Sequence, residues 1–178
     1  MTGVMHFGEK DIEVLMLSKF SIAATLAMMS AITSAAGIDQ PKIVLEQKFD
    51  VGVEKAWAKL GTFCGISRWQ SLVSACVVEE RSDGIYRVVI MKNDTAFTER
   101  LETFSQADHS FSYSILSGPL PVNQYRSELK IEPQGKDSKL VWRAWYTVPE
   151  TGDSQKIKND LESLFRNGIN GMTALLHS

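Results

Sequence analysis

The main part of the chain alternates between apolar and polar positions with a period of two. Between residues 43 and 148, short runs rich in Val, Ile, Phe and Tyr are separated by turn-forming residues such as Asp, Asn, Gly and Pro. This alternation is typical of antiparallel strands that cover one face and expose the other. The pattern predicts strands at 43–51, 71–81, 85–92, 95–105, 110–117, 122–132 and 138–148.

Helical periodicity appears after the first strand and again after the last one. Residues 53–60 place their apolar side chains on one face and stop at a glycine, and a short helical turn at 62–66 is predicted to follow. A long helix is predicted to begin at Asp153 or Ser154 and to run almost to the end of the sequence. Its apolar stripe consists of Ile157, Leu161, Leu164, Phe165, Ile169 (or Gly168), Met172, Leu175 and Leu176.

The order of these elements predicts the fold class. A long amphipathic helix and a half-covered antiparallel sheet each have an apolar surface that needs a partner, so the helix should lie across the covered face. We therefore predict an α+β helix-grip fold, in which a curved antiparallel sheet of about seven strands wraps around the C-terminal helix. Two short helices follow the first strand, and a cavity remains between the sheet and the long helix. Residues 37–178 are predicted to form this single domain.

The first 36 residues have the pattern of a leader with a secretory signal peptide. Lys19 precedes an uncharged run at 20–32, and small residues follow up to Ala36, after which cleavage is expected. The run is shorter than the ~20 apolar residues of a transmembrane helix, and an uncleaved anchor is the alternative. Because residues 1–15 are acidic, Met16 is an alternative start. The prediction is a periplasmic or secreted domain without stable membrane insertion after cleavage.

Export would place the two cysteines, Cys64 and Cys76, where a disulfide can form. A bridge requires Cα atoms within about 7 Å of each other, and the pattern places Cys64 in a loop or short helix and Cys76 in a strand. Two buried free thiols are the favoured interpretation, and a disulfide between them is the alternative.

Composition narrows the classes of partner. The 178 residues include 19 basic and 21 acidic ones, with a net charge of −2 and no basic block, which argues against a nucleic-acid partner. The histidines show no metal-ligand spacing, and the sequence has no glycine-rich phosphate loop. Neither a metal nor a cofactor is predicted.

One carboxylate falls on the face that the long helix should cover. Strand parity places Glu99 between Phe97 and Leu101 on that face. A buried carboxylate needs a donor or a cation, and Arg87 and Tyr113 are the nearest candidates in the pattern. An arginine-paired carboxylate could take a proton from a ligand while a tyrosine donates one. Alternatively, the pair is a buried salt bridge that only orients the sheet.

The length of the turn before Glu99 decides whether Arg87 can reach it. A two-residue turn would place Glu99 opposite Val88 and direct Arg87 to the other face. A three-residue loop at 93–95 would place Glu99 opposite Val89 and bring Arg87 inward. The strand pattern leaves both registers open.

Large apolar side chains on the covered face are candidates for ligand contact, although aromatic residues more often belong to the core. Parity places Thr103 on the covered face and Phe104 on the wet one. Trp145 has the parity of the wet face, where an exposed aromatic ring could contact a partner protein. The predicted ligand-binding residues are Trp69, Phe97, Leu101, Phe111, Tyr125, Trp142, Tyr146 and Phe165.

Several stretches, in the order in which they occur, resemble one superfamily. They are FDVGVEKAWAKLGTFCGISRW, an R-x-x-x-turn-x-x-x-E-R-L pattern, FSYSILSGPLPVNQY and LVWRAWY. This series is similar to the START-like (SRPBCC) superfamily, and within it to the polyketide cyclase/dehydrase-type branch. The resemblance covers residues 43–176 and implies a helix-grip fold with a cavity for a small, largely apolar ligand. It favours the register that brings Arg87 inward.

The resemblance also implies roles for particular residues. Arg87, Glu99 and Tyr113 are similar to polar positions implicated in lachrymatory factor synthase-like members. The loop at 117–121 corresponds to a gate in the related plant abscisic-acid receptors, or it is a plain turn. We expect a non-catalytic binder or carrier of a small hydrophobic molecule. The alternatives are a cyclase-, dehydratase- or isomerase-type lyase that uses these three side chains, and an accessory protein that docks on a periplasmic partner enzyme.

Overall fold

The computed structural model describes residues 40–178, so the predicted leader and its cleavage site lie outside the described residues. Within this part, strands and helices follow one another in the predicted order. They are β1 (Ile43–Phe49), α1 (Val53–Leu60), α2 (Ile66–Trp69), β2 (Val73–Arg81), β3 (Gly84–Met91), β4 (Ala96–Ser105), β5 (Ser110–Ser117), β6 (Asn123–Gln134), β7 (Asp137–Thr147) and α3 (Ser154–Leu176).

The seven strands form one curved antiparallel sheet in the order β1-β7-β6-β5-β4-β3-β2. Hairpins connect the neighbours from β2 to β7, and β1 pairs with β7, where Leu45 lies opposite Trp142. The prediction of an α+β helix-grip fold is confirmed, including the two short helices after β1. The second short helix begins at Ile66, where the sequence pattern predicted its end.

The long helix α3 packs its apolar stripe against the covered face of the sheet. The carboxylate of Asp153 caps the helix by accepting a hydrogen bond of 2.9 Å from the backbone N–H of Lys156. In the middle of the helix, Phe165 stacks on Trp142 of β7 with ring centroids 4.1 Å apart. The buried residues reproduce most of the predicted stripe: Ile157, Leu161, Phe165, Gly168, Ile169, Met172 and Leu176.

A β-bulge in β4 changes which of its side chains face the helices. The β4–β5 register shifts just before Thr103, which pairs with Ser112. The next pair is Phe104 with Phe111, so both rings lie on the covered side of the sheet. The ring centroid of Phe104 is 5.7 Å from that of Trp57 in α1. The predicted faces of Thr103 and Phe104 are therefore wrong, because one extra residue inverts the parity of a strand. Phe104 nevertheless keeps 51% of its surface exposed.

A disulfide joins Cys64, in the segment before α2, to Cys76 in β2, and their Cα atoms are 5.6 Å apart. The favoured prediction of two buried free thiols is wrong, and both residues are half-buried. The chain reverses direction through α2, which brings the preceding segment alongside β2. Hydrophobic periodicity carries no information about this approach, because one of the two cysteines lies in a segment without regular structure.

Candidate functional site

A partly open cavity lies between the covered face of the sheet, α2 and α3. The centre of a water-sized sphere can move within about 50 Å³ of this space, which is room for a few water molecules. Most of the wall is apolar, and its polar side chains are Gln70, Glu99, Tyr113 and Tyr125. The arrangement suits an apolar molecule that carries one or two hydrogen-bonding groups.

Glu99, in the cavity wall, is held by a buried ion pair with Arg87 of the neighbouring strand. The two residues lie directly opposite each other in β4 and β3. The guanidinium atoms Nε and Nη2 both lie 2.5 Å from Oε2 of Glu99. Only 1% of the surface of Arg87 and 5% of that of Glu99 are exposed. Such a pair is tolerated away from water because the opposite charges and hydrogen bonds compensate for lost hydration.

Neither of the two predicted registers between β3 and β4 is correct. The backbone N–H of Met91 donates to the carbonyl oxygen of Thr95, so residues 92–94 form the turn. Glu99 therefore lies opposite Arg87 itself, rather than opposite Val88 or Val89. The inward direction of Arg87, which the resemblance favoured, agrees with the structure.

Two aromatic rings cover the guanidinium of Arg87. Its Cζ atom lies 4.3 Å from the ring centroid of Phe63 and 4.7 Å from that of Tyr113. The Nη1 group also donates a hydrogen bond to the backbone carbonyl oxygen of Phe63. The sequence pattern did not single out Phe63, because it reaches the sheet from the irregular segment between α1 and α2. These contacts supply further compensation for the buried charge.

Burial sets the protonation of the polar side chains in the cavity wall. It raises the pKa of Glu99 above its ordinary value, while the charge of Arg87 and its hydrogen bond lower that pKa. Burial also raises the pKa of Tyr113 to about 12, and the charge of Glu99 adds to this effect. Burial likewise raises the pKa of Tyr125, whose ring centroid is 6.4 Å from that of Tyr113. Both phenols are therefore protonated at neutral pH.

The structure brings several of the predicted site residues together and sets two just behind the wall. Arg87 lies behind Glu99, and Trp69 lies behind Trp142, with the two indole rings edge to face at 5.7 Å. The predicted residues that line the cavity are Phe97, Glu99, Tyr113, Tyr125, Trp142 and Phe165.

Besides Trp69, three predicted ligand-binding residues do not line the cavity. Leu101 is half-buried opposite Tyr113. Phe111 packs against Phe63, with ring centroids 6.0 Å apart. Tyr146 lines a groove on another part of the surface. Strand parity identified the face on which these residues lie, but it does not report how far along the strand the cavity extends.

The cavity also contains residues that the sequence pattern did not select. Val89 and Ile115 share the parity of Arg87 and Tyr113, respectively, so strand alternation could have identified them. Gln70 comes from the end of α2, and its Nε2 donates a hydrogen bond of 3.1 Å to the carbonyl oxygen of Leu164 in α3. The residues of the wall that were not predicted are Ile66, Gln70, Val73, Val89, Met91, Ile115, Leu120 and Leu164.

Trp145, expected to be an exposed contact for a partner protein, is half-buried on the outer face of the sheet. The guanidinium of Arg126 covers its ring, with Cζ 4.2 Å from the centroid. This cation–π contact, between neighbouring strands, accounts for an aromatic residue on the wet face.

Two further properties concern residues 40–178 alone. In this part of the chain, no three His, Cys, Asp or Glu side chains are grouped closely enough to hold a metal ion. None of its helices is long and apolar enough to span a membrane.

The described residues thus form a helix-grip domain. Its curved sheet wraps around the long helix, an apolar cavity lies between them, and a buried ion pair lies at the cavity wall. The sequence profile of the family described as polyketide cyclase / dehydrase and lipid transport matches residues 40–177. The chain therefore belongs to this family of the SRPBCC type, as the resemblance implied. No curated protein matches the sequence.

Solved structures show the same fold at low sequence identity. A putative uncharacterized protein from Bacillus thuringiensis superposes with a TM-score of 0.69 at 19% identity, covering 76% of this chain and 98% of that one. The protein XoxI from Bacillus cereus gives 0.68 at 20% identity, covering 76% and 95%. A protein from Nitrosospira multiformis gives 0.65 at 21% identity, covering 75% and 94%. At these identities the likeness extends to the fold alone.

Proposed function

We propose that the domain binds a small, largely hydrophobic molecule in its internal cavity and acts as a non-catalytic binder or carrier. The observation that carries this proposal is the apolar cavity with a small set of polar groups in its wall. The family description, which includes lipid transport, is consistent with such a ligand. Glu99 and the two phenols would bind the polar end of the ligand, and the aromatic side chains its apolar part.

Binding requires the cavity to enlarge, because sites for small molecules usually have volumes of roughly 300–1,000 Å³. Leu120, in the loop between β5 and β6, lines both the cavity and a neighbouring depression of about 100 Å³. Gly118 allows this loop to lie close to Phe97, since a Cβ at Gly118 would be 2.3 Å from Cδ1 of that ring. Outward movement of Leu120 would join the two spaces. We therefore assign the entrance to this loop.

Filling the cavity should abolish binding. Val89 lies in its wall with 1% of its surface exposed, and Val89→Phe would occupy the remaining space. Overpacking of this kind costs about 1–3 kcal/mol, so the variant is expected to fold. Fluorescence titration with the neutral apolar probe N-phenyl-1-naphthylamine should show at least a roughly tenfold weaker affinity, equivalent to a loss of about 1.4 kcal/mol.

Val77→Phe is the matched control, because Val77 lies on the opposite face of the sheet with 51% of its surface exposed. It adds the same ring without reaching the cavity, so the affinity for the probe should stay at the wild-type value. Equal affinities for wild type, Val89→Phe and Val77→Phe would show that the probe binds elsewhere and would contradict the proposal.

A second candidate function is catalysis by the same site, favoured by the buried carboxylate of Glu99 and the protonated phenol of Tyr113, which line the same cavity. In a cyclase-, dehydratase- or isomerase-type reaction, Glu99 would accept a proton and Tyr113 would donate one. If the protein is an enzyme, Glu99→Gln should retain molecules that co-purify with it while their turnover falls by roughly 10²–10⁴-fold. Mass spectrometry of those molecules before and after incubation separates a carrier, which leaves them unchanged, from an enzyme.

We also propose that the domain is exported and works in the periplasm or outside the cell, alone or docked on a partner enzyme. The pattern of residues 1–36 supports this location, and so does the disulfide between Cys64 and Cys76. Mass spectrometry of protein purified from its native host should find a mature N-terminus near Gly37. A full-length form in the cytoplasm would contradict the proposal.

A further inference from the structure

The disulfide lies next to the ion pair of the cavity. Cys64 directly follows Phe63, whose ring and carbonyl oxygen both contact the guanidinium of Arg87. Cys76, at the other end of the bridge, lies opposite Val89, two residues from Arg87 in β3. The disulfide therefore connects the segment that covers Arg87 to the strand beside Arg87.

Non-covalent contacts hold Phe63 in place less firmly. The neighbouring backbone hydrogen bonds are local, from Gly61 to Trp57 and from Gly65 to Thr62, so they shape the segment without tying it to the sheet. Across to the sheet, Phe63 accepts the hydrogen bond from Arg87 at its carbonyl oxygen, and its ring contacts Phe111 at 6.0 Å and Tyr113 at 6.5 Å between centroids. The covalent bond between Cys64 and Cys76 limits the motion of this segment more than these non-covalent contacts do.

We infer that the Cys64–Cys76 disulfide positions Phe63 on Arg87 and thereby makes ligand binding in the cavity dependent on the oxidation state of the two cysteines. The inference rests on the proposed binding function. A dithiol reductant would donate two electrons and two protons, leaving Cys64 and Cys76 as thiols and the reductant as its own disulfide. Phe63 would then move away from Arg87, and water would reach the ion pair. An apolar ligand would have to displace that water, so its affinity would fall.

The bridge lies at an edge of the sheet. Both cysteines are half-buried rather than enclosed, and β2, which carries Cys76, is an edge strand of the sheet. We therefore expect a reductant to reach the bridge without prior unfolding of the domain. The contact that would change on reduction is the packing of the Phe63 ring on the guanidinium of Arg87.

The test compares oxidised wild type, wild type treated with a phosphine reductant, Cys64→Ser/Cys76→Ser, and Phe63→Ala with its disulfide intact. Affinity for N-phenyl-1-naphthylamine and the side-chain Nε–H signal of Arg87 in ¹⁵N NMR are measured for each. Oxidised wild type should show a sharp, slowly exchanging Arg87 signal. The three altered proteins should lose that protection and bind the probe about tenfold more weakly, because water would reach the ion pair and the probe would have to displace it.

Ile131→Ala, in a buried position of β6 outside the cavity wall, is the control for lower stability alone. It should keep both the Arg87 signal and the affinity of wild type. An unchanged Arg87 signal in the reduced protein and in Phe63→Ala would overturn the inference. If oxidised wild type does not bind the probe, the proposed binding function fails, while the Arg87 signal still reports whether the disulfide positions Phe63.

Discussion

Replacing Arg87 by methionine is expected to lower the free energy of unfolding by about 3–5 kcal/mol, the loss typical of a buried ion pair that keeps one partner. Methionine retains much of the apolar stem of arginine, so the loss arises mainly at Glu99. Its Oε2 atom would lose both guanidinium contacts. A carboxylate with 5% of its surface exposed cannot replace them with water. Urea unfolding of both proteins measures the difference.

Glu99→Gln is the matched control for this experiment. The glutamine amide oxygen can still accept a hydrogen bond from Arg87. The guanidinium also retains its hydrogen bond to the Phe63 carbonyl oxygen and its contacts with the rings of Phe63 and Tyr113. The expected loss is about 1.5–3 kcal/mol, the range for one hydrogen bond to a charged group. If Arg87→Met were as stable as wild type, the ion pair would contribute nothing and the geometry of the site would need another explanation.

The destabilisation by Arg87→Met should depend on pH with a definite sign. Burial raises the folded-state pKa of Glu99, so between its unfolded and folded pKa values the native state binds more protons than the unfolded chain. Stability falls as pH rises through that window. Because Arg87 lowers this pKa, its removal extends the window upward. The difference from wild type should therefore be large at about pH 8 and shrink toward about pH 5.

The fold could be predicted because two long segments, the strands and then the C-terminal helix, each show a regular spacing of hydrophobic residues. The alternation that ends with β7 and the helical stripe of α3 each require an apolar partner, and the simplest solution is that they cover each other. The sequence placed the start of α3 at Asp153 or Ser154, and the structure shows Asp153 as the capping residue. Local signals of this kind agree with the global fold wherever the chain is regular.

The site could be predicted only where it depends on strand parity. Glu99 and Tyr113 were found because alternation assigns a face to each strand residue. The register of Arg87 with Glu99 depends on one turn, and the face of Phe104 on one bulge, and neither leaves a clear mark in the hydrophobic pattern. Phe63 and the disulfide depend on the path of an irregular segment. Irregular backbone thus supplies the contacts that complete the site.

Gly171→Ala is expected to destabilise the domain by about 3 kcal/mol, although alanine favours a helix interior by about 1 kcal/mol. A Cβ at Gly171 of α3 would lie 1.7 Å from the carbonyl oxygen of Trp69 and 2.7 Å from its carbonyl carbon. Backbone atoms cannot rotate away as a side chain does, so α2 would have to move off α3. Gln70 and Trp69 would move with it, and the wall of the cavity would shift. Both thermal stability and binding of the apolar probe should therefore fall.

Gly168→Ala, one turn earlier in α3, separates this backbone contact from the effect of helix propensity. Its Cβ would meet side-chain atoms, at 3.0 Å from Cζ3 of Trp69 and 3.2 Å from Nε2 of Gln70. Those atoms can yield by a few tenths of an ångström, and the gain in helix propensity of about 1 kcal/mol is the same in both variants. Gly168→Ala should therefore remain within about 1 kcal/mol of wild type. If both variants lost the same amount of stability, the close approach of α2 to α3 at Gly171 would not explain the effect of Gly171→Ala.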